Sequence, residues 1–229
     1  MSDPVVSPLL TNMEGWQLSI GGAMNPAIHH PGWYKLVGII TDEQMKAAMA
    51  GRPTSGPLSS SFAFEELQIT CHPTGWAIAS AKVDDLERPV KIAAELFDKH
   101  LPHTPINNYG FIFSFHAAVR LAGGVGVGLA RLMKNANLGL DPPLGSFTRF
   151  MHTSPQLTVL VEPSQRDPGR IYLYYQTNYV ISSDMDGTGK PAFKAFFIGP
   201  KLKGQVAIDS DAVKSRLQHI ISGIESMQE

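Results

Sequence analysis

The residue types able to do chemistry are few and lie far apart in the chain. Asp184-Met185-Asp186-Gly187-Thr188 follows the apolar run Tyr179-Val180-Ile181. Two aspartates so spaced at a strand end are the arrangement in which one carboxylate attacks phosphorus and the other moves a proton. The chain past Thr188 is too short for the parallel α/β core that this chemistry needs, and Asp-Gly between two extended runs is a strong hairpin-turn signal. An EF-hand calcium loop is also ruled out, because its twelfth position would be Ala195 rather than a glutamate. The stretch reads as a turn.

A second candidate is the run Gly123-Gly124-Val125-Gly126-Val127-Gly128, placed between a strand and a short helix, Leu129 to Lys134, where backbone N–H groups can cradle a phosphate. Gly124, Gly126, Gly128 and Arg131, with Lys134, would form its ligand loop. The run lacks the Lys-Ser/Thr of a P-loop, and Leu129 stands where the last glycine of GxGxxG is required. A connector, or a point where another chain approaches closely, accounts for it better.

Eight histidines and one cysteine invite a metal reading. His29 and His30 are adjacent, so their side chains diverge; Cys71-His72 precede a turn; His100 and His103 flank a helix end, where they suit the macrodipole. None shows HExxH or CxxC spacing, so no metal and no cofactor are expected. Cys71 reads as a strand residue, since a nucleophilic thiol needs a base and a positive field beside it. Tyrosines remain: Tyr172 and Tyr174 project to the face opposite Tyr175 and Tyr179 if the run is a strand. One pair therefore lies outward, and with Trp33 and Tyr34 it makes the candidate interaction surface.

The elements that must position these residues follow from periodicity. Val90, Ala93, Ala94, Phe97 and Leu101 form one helical stripe, with Asp84 or Asp85 as cap, Pro89 in the first turn, and Pro102 and Pro105 ending the helix. Tyr109, Phe111, Phe113 and Phe115 alternate with smaller or more polar residues, which is a strand with one aromatic face. Core packing is the first reading of that face, and base stacking on a sheet the second. Trp16 to Ile20 is a short strand. Trp33 to Ile40 is an apolar run rich in aromatic and β-branched residues, after which Thr41 caps a helix through Met49. Phe62 to His72 and Trp76 to Lys82 form a hairpin across Pro73-Thr74-Gly75. Leu157 to Glu162 and Arg170 to Ser182 form another. Ala192 to Ile198 is a further strand, broken by Gly199-Pro200, and Lys201 to Ile208 extends the sheet past a bulge. A last helix from Asp209 or Ser210 carries Val213, Leu217, Ile220, Ile221, Ile224 and Met227 on one face.

The fold class is therefore α+β, a mainly antiparallel twisted sheet with two principal amphipathic helices packed on one face. One domain over 1–229 is expected, with two similar halves, 14–136 and 146–229, as the alternative. At 24.9 kDa about 70% of the unfolded chain's surface can be buried. A net charge of -1 with 17% charged residues offers no strong field, which disfavours nucleic acid or an anionic membrane as partner. The single cysteine excludes an internal disulfide, no apolar stretch approaches a membrane span, and no signal peptide is evident, which together fit the cytoplasm.

The succession His103-Thr104-Pro105-Ile106 to Tyr109-Gly110-Phe111, a strand ending in His116, then Val161-Glu162-Pro163-Ser164 and a strand containing Asn178, resembles a family of bacterial proteins of about this length. The resemblance covers Leu67 to Ile181. Phe113 stands near where that family has an asparagine, and no activity comes with it. The functional expectation is a non-enzymatic protein acting through its surface, as a homo-oligomer or a subunit of a larger assembly. A nucleotide or small-molecule binder using the glycine run is the alternative, and an enzyme centred on His100, His103 or His116 ranks below both.

Overall fold

The computed structural model describes residues 13–81, 86–118, 146–150, 156–165, 170–181, 198–205, 208–209, 212–213 and 215. Nine strands lie in the described residues: β1 (Met13–Gly22), β2 (Thr54–Ser55), β3 (Ser60–Phe64), β4 (Leu67–His72), β5 (Gly75–Ser80), β6 (Ile106–Ala118), β7 (Ser146–Phe150), β8 (Gln156–Pro163) and β9 (Arg170–Val180). They form one antiparallel sheet in the order β2-β3-β4-β5-β1-β6-β9-β8-β7. The fold is thus α+β. β1 is the hub, paired with β5 on one side and β6 on the other. β6 then pairs with β9 from Asn108↔Val180 to Ala118↔Arg170, which joins the two halves of the chain in a single sheet.

Strict alternation decides which face each side chain takes. Trp16, Leu18 and Ile20 on β1, the aromatic row Tyr109, Phe111, Phe113 and Phe115 on β6, and Leu173, Tyr175 and Tyr179 on β9 are all buried on one face. Register puts them in rows, so that Trp16, Phe113, Tyr175 and Val159 face the same way on four adjacent strands. With Phe113 1% exposed, the phenylalanines are core and offer no stacking surface. At Gly110 an added Cβ would lie 2.0 Å from the Thr177 carbonyl oxygen, so only glycine lets β6 approach β9 there.

Two of the described helices send an aromatic side chain to this same face. The helix α1 (Pro31–Leu36) sends Tyr34 against Phe62 and Trp76. Thr41 caps α2 (Asp42–Ala50), as the sequence pattern predicts, and with Gln44 it closes a capping box. The α3 helix (Glu87–Glu95) buries Val90 and Ala93 and continues as a π-helical turn, Leu96–His100, whose Phe97 meets Trp76 edge to face at 5.4 Å. Leu86, without a side-chain bond, is the observed cap; Asp84 and Asp85 lie outside the described residues.

The apolar run Trp33 to Ile40 packs as helix and turn: His30 accepts from the Gly32 N–H and Pro31 opens a short helix. Two expectations need correction. Phe62 to His72 is two strands, split where Glu65 takes φ 50°. Residues 198–205 are helical rather than sheet, because Asp98 accepts from the Ile198 and Gly199 N–H groups at 2.7 and 2.9 Å and caps the segment from across the fold. Most of the last helix, from Asp209 or Ser210 onward, lies outside the described residues, as do the Asp184 turn and the 192–197 run.

Candidate functional site

The opposite face of the sheet carries the residues that alternate with the core: Gln17 and Ser19 on β1, Ile112, Ser114 and His116 on β6, Glu162 on β8, and Tyr172, Tyr174 and Gln176 on β9. All of these are half-buried. A groove of about 940 Å³ runs along this face, with Gln17, Ile112, His116, Glu162, Tyr172 and Tyr174 among its lining, and Glu66 and Gln68 at its far side. No described helix lies among the lining residues.

Hydrogen bonds hold the groove's side chains in place. The Tyr172 hydroxyl donates to Ser114 Oγ at 3.0 Å, and the Tyr174 hydroxyl to Gln176 Oε1 at 3.0 Å. Gln17 Nε2 donates to Ser19 Oγ at 2.8 Å. Burial, and secondarily the Tyr172 phenol, push the Tyr174 phenol above its ordinary value, so the Tyr174 hydroxyl stays protonated. Register sets His116, Tyr172 and Glu162 side by side on three strands. The His116 and Tyr172 rings lie 5.1 Å apart, and His116 Nδ1 is 2.9 Å from Ser164 Oγ. Two residues of the quoted motifs, 48 apart in sequence, thus meet in space. Ser164 is 6% exposed, and a serine that buried is a support for the imidazole rather than an accessible nucleophile.

The structure sorts the sequence candidates unevenly. Tyr172 and Tyr174 do lie on the face away from Tyr175 and Tyr179. Tyr34 does not belong to a surface: it is 0% exposed, accepts from Trp76 Nε1 at 2.9 Å and meets His29 Nδ1 at 2.9 Å. Its neighbour Trp33 is half-buried against the core. Burial pushes the Tyr34 phenol up and lowers His29 to about 4. Gly124, Gly126, Gly128 and Arg131 lie outside the described residues. Of the three histidines considered for catalysis, the groove holds His116 alone; His103 is exposed in a loop and His100 is on the π-helical turn of the helical side. Among the described residues no group of His, Cys, Asp and Glu is placed to hold a metal ion. Cys71 is fully buried and its thiol is pushed up to about 12.

Sequence reasoning missed the polar groups that the tertiary fold buries. Asp209 is 4% exposed and accepts from Thr177, Tyr179 and Gln205. Thr177 in turn accepts from the Phe111 N–H at 3.2 Å, and its one proton goes to Asp209 at 2.8 Å rather than to the Phe111 carbonyl at 3.5 Å. Only a polar residue interrupting the β9 core alternation at Thr177 hinted at this network. No family model matches the chain, and no curated protein matches it. No described helix is long and apolar enough to cross a membrane.

Proposed function

We propose that the protein is a non-enzymatic interaction protein that binds a protein partner, or a second copy of itself, through the grooved face of its sheet. The observation that carries this reading is the pair Tyr172 and Tyr174, held half-exposed by hydrogen bonds in a groove spanning several strands. Tyrosines of this kind offer large contact area with little conformational freedom to lose, which is why they concentrate at interfaces. Neutral amides and hydroxyls around them suit the polar groups of a polypeptide. The groove's volume also falls in the range of small-molecule sites, and that favours a second reading, a small ligand bound on the same face. A cytoplasmic assembly subunit fits the single buried cysteine.

Size exclusion with light scattering on the full chain, together with capture of partners from the source cell, tests the first reading. The expected result is a self-associated or partner-bound species that Tyr172→Ala with Tyr174→Ala dissociates without lowering the melting temperature by more than a few degrees. A strict monomer with no captured partner would sink it.

A further inference from the structure

We infer that the groove selects a cationic segment, in which a Lys or Arg side chain of the bound polypeptide seats its head against Glu162 and its stem along Tyr172 and Tyr174. This deepens the interaction reading and rests on it. Glu162 is half-buried in the groove lining, directly across the β8–β9 ladder from Tyr172, and has no hydrogen bond or ion pair among the described residues. A carboxylate withdrawn partly from water without a partner is a standing cost that an incoming cation removes. The Tyr172 and Tyr174 hydroxyls are committed to Ser114 and Gln176, which leaves their ring faces as the contact surface. Ring faces carry the negative end of the aromatic quadrupole and attract ammonium and guanidinium groups. Ile112 and Ala79 in the same lining supply apolar surface on which an aliphatic stem can lie while its charged end reaches a carboxylate.

Other charges around the groove agree with this sign. Glu66 lines the far side and has contacts of its own, so it is not needed as a ligand. No Lys or Arg is among the described lining residues. Arg170 stands two residues before Tyr172 on β9, is engaged elsewhere, and is not among the described lining residues. His116 flanks Tyr172 on the side away from Glu162 and is tied to Ser164. An anionic segment would meet the Glu162 carboxylate, which has no counter-charge among the described residues, so the groove discriminates by sign as well as shape.

The test uses the full chain and three labelled peptides of equal length, repeats of Lys-Ser, Gln-Ser and Glu-Ser, with binding read by fluorescence anisotropy at low and high salt. The Lys-Ser peptide is expected to bind best, to weaken with salt, and to lose roughly tenfold in affinity on Glu162→Gln, the scale of one hydrogen bond to a charged group. Tyr174→Ala should weaken it as well, while Tyr174→Phe should retain binding, which a merely structural role for the hydroxyl would not predict. If the Gln-Ser or Glu-Ser peptide binds as well as Lys-Ser, or Glu162→Gln changes nothing while Tyr174→Ala abolishes binding, the cation assignment falls and the grooved-face reading stands. If no peptide binds and partner capture is indifferent to Tyr172 and Tyr174, both fall.

Discussion

The carboxylate of Asp209 accepts a 2.5 Å hydrogen bond from the hydroxyl of Tyr179, thirty residues away in sequence, and both side chains are buried. Through this contact and the 2.8 Å bond from Thr177, the segment after residue 198 is tied to the core face of β9. Asp209→Ala should cost about 2 to 4 kcal/mol, because it leaves the buried Tyr179 hydroxyl without its acceptor and Thr177 with only the longer bond of 3.5 Å to the Phe111 carbonyl. Asp209→Asn, which keeps one acceptor oxygen, should cost less. Urea melts of the three proteins check the ranking, and equal stability of wild type and Asp209→Ala would contradict the contact.

Asp98 makes the corresponding tie on the helical side. Its two oxygens receive the first N–H groups of the 198–205 helix, and a Cβ on Gly199 would lie 2.6 Å from one of them and 2.8 Å from Ala94 Cβ. Asp98→Ala should destabilise by about 1 to 2 kcal/mol, as for loss of a helix cap. Gly199→Ala should cost about 1 to 3 kcal/mol through overpacking. Since both act at one contact, the double variant should fall short of the sum, which a double-mutant cycle in urea reads directly.

His29 gives the fold a pH dependence of definite sign. Burial lowers its pKa to about 4 from 6.5, so between those values the unfolded chain binds a proton that the folded protein does not. Stability is therefore full above about pH 6.5 and falls as the pH drops toward 4, by up to roughly 3 kcal/mol. His29→Gln keeps a group able to accept from the Tyr34 hydroxyl and cannot titrate. Its stability profile should be flatter than wild type across this window, and parallel profiles would rule His29 out as the cause.

Cys71 should be inert in the native state. It is 0% exposed, with its thiol pushed up to about 12, and the thiolate is the reactive form. A disulfide reagent at pH 8 should label it only as fast as the protein opens, with the rate rising steeply in denaturant. Stoichiometric labelling within seconds in native buffer would contradict the burial.

How much of this was legible beforehand depended on range along the chain. Alternation from 109 to 115 and from 170 to 179 specified strands and which residues share a face, including the placement of Tyr172 and Tyr174 opposite Tyr175 and Tyr179, because a strand's period of two acts residue by residue. The Thr41 cap and the Pro73 to Gly75 turn were readable for the same reason: each is closed within a few residues. Local pattern assigns no element to Trp33 to Ile40 and misleads at Lys201 to Ile208, since a short run has no decisive period and its state is set by what caps it. For the second run that cap is Asp98, a hundred residues before the helix start at Ile198.

Composition and local pattern by themselves determined an α+β fold with an aromatic core, no internal disulfide and little net charge. Only the tertiary structure decided that β1 sits between β5 and β6, that His116 meets Ser164, that Tyr34 goes inside while Glu162 faces a groove, and that Asp98 and Asp209 clasp the last described segment. The physical reason is that periodicity encodes which face a residue takes but carries no information on which strand lies beside it. Strand neighbours are selected by cross-strand packing summed over whole rows, and by the buried polar groups that find partners only once those rows are in place.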